Sequence, residues 1–196
     1  TRWIDWDRKK YPYLAKVVWE KNAPLTILVQ NRTQTEEILY SVDEKTYIRA
    51  RIFDMLIGDF DRHEGQFSWA EHKKENGEHY FVPIPEDRDQ AFADFDGPFF
   101  GTLRALVGFA KQFARYGPTV HNVKWLNAAG LSMDRTLIEH LGKETWIEQA
   151  KYLQEHLSDS IIEKAFSALP VEFQNESTKK LAEDVKARRN NLVKIT

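Results

Sequence analysis

The side chains most able to do chemistry gather in two polar runs near the middle of the chain. The first is Gly58-Asp59-Phe60-Asp61-Arg62-His63-Glu64-Gly65-Gln66, and the second is Pro83-Ile84-Pro85-Glu86-Asp87-Arg88-Asp89-Gln90. Six carboxylates stand in them: Asp59, Asp61, Glu64, Glu86, Asp87 and Asp89. Bringing them together is electrostatically unfavourable unless a divalent metal, or the interleaved Arg62 and Arg88, offsets the charge. Oxygen donors with few histidines favour Mg²⁺, Mn²⁺ or Ca²⁺ over Zn²⁺. Mg²⁺ keeps some of its water and takes substrate phosphates, which suits a site of two or three side chains. A catalytic Asp on a loop, an amide five residues on and a second Asp returned by a hairpin are the parts of a phosphoryl-transfer site. Asp61 and Gln66 have that spacing, and Asp87 or Asp89 stands where the second metal ligand belongs.

A hairpin must position these runs. Residues 66–71 and 78–84 alternate between apolar and polar, with Asn76-Gly77 between them, a pair favoured in type I′ turns because both positions need positive φ. Antiparallel pairing makes residues 59–66 and 85–90 neighbours. Upstream, residues 13–19 and 25–29, separated by Pro24, read as short strands. Thr33 with Glu36, and Ser41 with Glu44, have capping-box spacing, so helix is expected from residue 33 onward. Ile48, Ile52, Met55, Leu56 and Asp59 then share one stripe, an apolar face that runs into an acid. Further stripes follow at Phe100–Phe113, Trp146–Leu157, Ile161–Leu169 and, thinner and more exposed, Leu181–Leu192. They read as core faces of a bundle. The fold class expected is α+β, mostly α, with small β-hairpin elements packed on a helical bundle. Residues 1–34 form a β-rich segment and 35–196 an α-rich domain.

Asp61-Arg62-His63 with Gln66, followed by Asp87-Arg88-Asp89, resembles the catalytic and metal loops of atypical kinase-like folds. These include phosphoinositide kinases, HipA-type kinases and CotH-type spore-coat kinases, whose signature is Asp-Arg-His-x-x-Asn or a close variant. The stretch from Arg49 to Ala91, with the helical tail 187–192, also resembles a region of bacterial envelope proteins that carry a calcineurin-like phosphoesterase domain upstream. The resemblance implies a kinase-like C-lobe over 35–196, with 1–34 a remnant or part of an N-lobe. It implies Mg²⁺ or Mn²⁺ with ATP or another nucleotide, an unidentified acceptor, and a place at the bacterial cell envelope. It makes Asp61 the catalytic Asp and Arg62 and His63 the pair that shapes its loop. Gln66 stands where the family has a metal-binding Asn, and Asp87, then Asp89, is the second metal ligand. Gln66 is one methylene longer than Asn, and Gly58 is the first glycine of the chain, so no glycine-rich phosphate loop precedes the site. Lys16 is the candidate phosphate contact, with Glu36 or Glu37 as its partner on a helix.

Composition bounds these readings. The 196 residues carry 28 Lys+Arg against 30 Asp+Glu, a formal net charge of -2, which disfavours nucleic-acid binding through bulk positive charge. Zero cysteines exclude disulfide scaffolds, thiolate zinc sites and thiol catalysis. No apolar run is long enough to span a membrane. No His-Asp dipeptide or His-Glu-x-x-His occurs, which removes two common signatures of a metal phosphohydrolase. The start at Thr1, without Met or an apolar leader, reads as a processed chain or a piece of a longer parent with further domains. A structural account stays open beside the enzymatic one. In it, Arg62 and Arg88 bridge carboxylates to pin the hairpin base in an inactive kinase-like module of a larger envelope-associated phosphoesterase.

Overall fold

The structure, a computed structural model, describes residues 2–3, 14–18, 26–30, 35–39, 41–95 and 97–196. The fold is α+β and mostly α. Four strands come first: β1 (Arg2–Trp3), β2 (Leu14–Val18), β3 (Thr26–Gln30) and β4 (Thr35–Leu39). They form one antiparallel sheet in the order β1-β2-β3-β4. The paired strands expected around residues 14–18 and 26–29 are present; Tyr13, Trp19, Pro24, Leu25 and Thr33 lie outside the described residues. The helix expected from residue 33 is not: residues 35–39 are strand β4. Cross-strand pairing with β3 overrides the local capping-box spacing. Glu36 and Glu37 therefore have no helix on which to partner Lys16. Lys16, Leu28 and Glu37 instead occupy one cross-strand row of the sheet.

A short β5 (Ser41–Val42) leads into α1 (Glu44–Ile57). The cap of α1 is Asp43 rather than Ser41, since Asp43 Oδ1 accepts from the Thr46 N–H at 2.9 Å and Oδ2 from the Thr46 hydroxyl at 2.7 Å. Helix α1 stops at Gly58, whose φ of +76° is the left-handed termination that glycine adopts without strain. The hairpin follows as β6 (Phe67–Lys73) and β7 (His79–Pro85), and a three-stranded sheet forms in the order β5-β7-β6. Its turn is not type I′. Gly77 has φ +89° but Asn76 has negative φ, and Gly77 N–H donates to Lys74 O at 3.0 Å. This is a type I turn closed by a left-handed glycine, the other common hairpin connection. His72 pairs with Tyr80 and His79 with Lys73, so the two histidines are not cross-strand partners.

The helices after the hairpin are α2 (Pro98–Leu106), α3 (Val123–Leu126), α4 (Leu131–Ile138), α5 (Lys143–His156), α6 (Asp159–Ser167), α7 (Glu176–Asn190) and α8 (Leu192–Ile195). The stripe expected from Phe100 to Phe113 breaks at the extended Val107, leaving α2 and a 3-10 segment at Gly108–Gln112. Phe99, just before that stripe, is exposed.

The chain divides into two compact units. The first holds residues 1–50, 63–87 and 132–140. Its core sets Tyr47 and Ile48 with Phe67 and Trp69 of β6, Phe81 of β7, and Met133, Leu137 and Ile138 of α4. Alternation along β6 puts Phe67 and Trp69 on one face, where both rings lie against Tyr47, at 5.5 and 6.3 Å between centroids. The Tyr47 hydroxyl donates to Asp134 at 2.8 Å. The second unit holds residues 51–62, 88–131 and 141–196, with Ile52, Met55, Leu56, Phe60, Tyr116, Ala150, Ile162, Val185 and Leu192 in its core.

Candidate functional site

The first polar run begins where α1 ends, and its chemistry starts with a residue of α1 itself. Asp54 is fully buried in the second unit, with the buried Arg51 one turn before it. Arg62 Nε donates to Asp54 Oδ2 at 3.0 Å and its Nη2 to Asp54 Oδ1 at 3.3 Å. The same Nη2 reaches Asp59 Oδ2 at 2.7 Å. Arg88 Nε donates to Asp54 Oδ1 at 3.3 Å while its guanidinium lies over the Phe53 ring, and Arg51 Nη1 stands 3.6 Å from Asp54 Oδ2. Arg51 Nη2 also donates to Asn127 Oδ1 at 3.1 Å. Asp54 is thus the hub for three guanidiniums. Burial pushes its carboxyl above the ordinary carboxylate range, and Arg62, Arg88 and Arg51 pull it back. Burial pushes Asp59 up as well, opposed mainly by Arg62.

This network sets the loop that carries Asp61. Asp59 N–H donates to Asp54 O at 2.9 Å, and Asp59 Oδ1 accepts from Asp61 N–H at 3.2 Å. The side chain of Asp59 therefore supports the backbone that presents the half-buried Asp61. A second buried arginine braces the same segment. Arg188 of α7 donates to Met55 O at 3.2 Å, to Thr119 O at 3.3 Å and to Gly117 O, and stacks 3.8 Å from the Tyr116 ring centroid. Tyr116 in turn donates to Leu56 O at 2.9 Å.

In the first unit, His63 is exposed and its Nδ1 accepts from Gly65 N–H at 3.0 Å, which caps a 3-10 turn at Glu64–Gln66. Gln66 is buried at the foot of β6. Phe67 pairs with Pro85, and Glu86 N–H donates to Gln66 O at 2.9 Å, so the hairpin base joins the ends of the two runs within this unit. Asp87 follows, exposed, with φ +50°, a conformation that Asp tolerates better than most residues. Asp89 is exposed in the second unit.

The charge offset anticipated for Arg62 and Arg88 falls mainly on Asp54, which the sequence reading did not single out. The signal for it was present: Arg51 and Asp54 interrupt the apolar run Ile48–Leu56 at helical i, i+3 spacing. The basic run 186–189 near the end of α7 is likewise structural, with Arg188 and Arg189 buried. Arg189 Nη2 pairs with Asp159 at 2.6 Å. Arg188 stands in the stripe Leu181, Val185, Arg188 and Leu192, an apolar slot that only an arginine with carbonyl partners can fill.

Among the described residues, no three His, Asp or Glu side chains converge as a metal site. The set implied by resemblance is the Gln66 amide with the Asp87 carboxylate, Asp89 being the next candidate. Its all-oxygen chemistry fits Mg²⁺ or Mn²⁺. No helix among the described residues is long and apolar enough to cross a membrane. No protein-family model, curated protein or solved structure matches this chain.

Proposed function

We propose that this chain is a metal- and nucleotide-dependent phosphotransferase domain of kinase-like type, with an acceptor still to be identified. Asp61 orients the acceptor hydroxyl and takes its proton. Gln66 and Asp87, with Asp89 in reserve, would hold Mg²⁺ or Mn²⁺, which neutralises phosphate charge when bound. The observation that carries this reading is the lock under the Asp-Arg-His loop. Arg62 is consumed by Asp54 and Asp59, and Asp59 holds the Asp61 N–H, so a half-buried carboxylate is presented on a pre-set backbone.

The test is a thermal melt of the full chain with Mn²⁺ and ATP at millimolar concentration. Saturation near a hundredfold over Kd stabilises by about 2.7 kcal/mol, a shift of roughly 5–11 °C for a chain of this size. Asp87→Ala should abolish the shift, while Asp61→Asn should keep it and lose phosphoryl transfer. No metal-dependent shift with ATP would sink the proposal. The same buried network favours one other reading, an inactive kinase-like module in an envelope-associated phosphoesterase, because Arg62 and Arg88 already close on carboxylates. That reading predicts no shift with any nucleotide.

A further inference from the structure

Within the second unit, the segment 104–122 and α7 enclose an open cleft of about 450 Å³, the volume of a small-molecule site. Asp184 of α7 lines it and is 9 % exposed. Every other buried charged side chain among the described residues has an ion pair or hydrogen bond: Arg51, Asp54, Asp59 and Arg62 in the network above, Arg188 on its carbonyls, Arg189 on Asp159. The Asp184 carboxylate has neither among the described residues. Its helical neighbour Arg188 gives its hydrogen bonds to backbone carbonyls and meets the Asp184 charge only through space. Asp184 therefore stands at the wall of the cleft with its carboxylate open to a donor from outside.

Three cationic side chains, Arg104, Arg115 and Lys180, line the same cleft. Arg104 Nη1 is anchored by donation to Phe95 O at 3.0 Å and Phe113 O at 2.7 Å, which fixes the fork while Nε and Nη2 make no hydrogen bond among the described residues. Arg115 lies beside it, with Nε 3.3 Å from Asp94. Lys180, one turn before Asp184, is exposed and forms no ion pair among the described residues. Three permanent cations thus face one carboxylate, and even with Asp94 set against Arg115 the cleft is net positive. That balance suits an anion of more than one charge, and planar guanidiniums match phosphate oxygens.

We infer that this cleft binds a small phosphate monoester that carries a hydroxyl group, with Arg104, Arg115 and Lys180 taking the phosphate and Asp184 accepting from the hydroxyl. The site is separate from Asp61 and stands whether or not the chain transfers phosphate.

Isothermal titration of the full chain tests it, with glucose 6-phosphate and glycerol 3-phosphate as probes and orthophosphate and glucose as controls. One charge-assisted hydrogen bond corresponds to about tenfold in affinity or more. At least one of the two esters should therefore bind about tenfold tighter than orthophosphate, and glucose should not bind. Asp184→Ala should bring that ester down to the level of orthophosphate. Lys180→Glu, at an exposed position that does not threaten folding, should weaken ester and orthophosphate together by about tenfold or more. Failure of both esters to bind at millimolar concentration overturns the proposal. So does ester binding that ignores Lys180→Glu, or that survives Asp184→Ala in a folded variant.

Discussion

Replacing Arg62 by methionine keeps most of the side-chain volume and removes the charge that joins Asp54 to Asp59. The two carboxylates are not left equally. Asp54 retains Arg88 at 3.3 Å and Arg51 at 3.6 Å, whereas among the described residues Asp59 keeps only the Asp61 N–H as a direct partner. Breaking a buried ion pair by deleting one partner costs about 3–5 kcal/mol, chiefly because a buried charge is left uncompensated. For a chain of this size that is a fall in melting temperature of roughly 6–20 °C. The loss must also depend on pH. Burial already holds both carboxyls above their ordinary values, and losing Arg62 raises them further. A raised carboxyl contributes stability that is complete below the unfolded value near 3.8 and is lost as pH rises through the folded value. The deficit of Arg62→Met relative to the natural chain should therefore shrink as pH falls from neutrality toward 5, by up to about 1.4 kcal/mol per unit for each carboxyl. Urea unfolding at several pH values measures it. A deficit below about 1 kcal/mol at neutral pH, or one that grows as pH falls, would refute the reasoning.

Other perturbations follow from single contacts. A Cβ at Gly130 would stand 2.6 Å from Arg51 Cζ and closer to Nη2, and Arg51 is held by Asn127 and Asp54, so Gly130→Ala should cost about 1–3 kcal/mol in urea unfolding. Gly58→Ala combines φ +76° with a Cβ 2.9 Å from Tyr116 Cδ2, and should cost at least the roughly 1–2 kcal/mol of a left-handed Cβ residue, read from the melting temperature. Burial raises the Tyr116 phenol above its ordinary value of 10.0. Its stabilisation is complete below pH 10 and is lost as pH rises through the folded value, so alkaline unfolding should begin there and Tyr116→Phe should weaken that dependence. Ultraviolet titration should show Tyr116 ionising only with unfolding.

Much of this protein follows from local sequence. Alternation in residues 67–73 and 79–85, with a glycine between them, specifies the hairpin, because period-two patterning and a positive-φ residue are both local demands. The stripes of α5, α6 and α7 specify those helices in the same way. The junction of Gln66 with Glu86 at the hairpin base was legible too, since it needs only the turn and the strand direction. Tertiary structure decided the rest. Strand β4 forms where a capping-box pattern favoured helix, because five cross-strand pairs with β3 outweigh one local cap. Asp54 became the hub of the network because helix α1 buries that face, which no spacing within residues 58–66 could reveal. Arg188 and Asp184 differ by one helical turn, yet one is satisfied by carbonyls from residues far away in sequence and the other faces a cleft. Whether a charge is solvated, locked or waiting for a ligand depends on what long-range packing sets against it, and that is the part of the chemistry a local pattern does not carry.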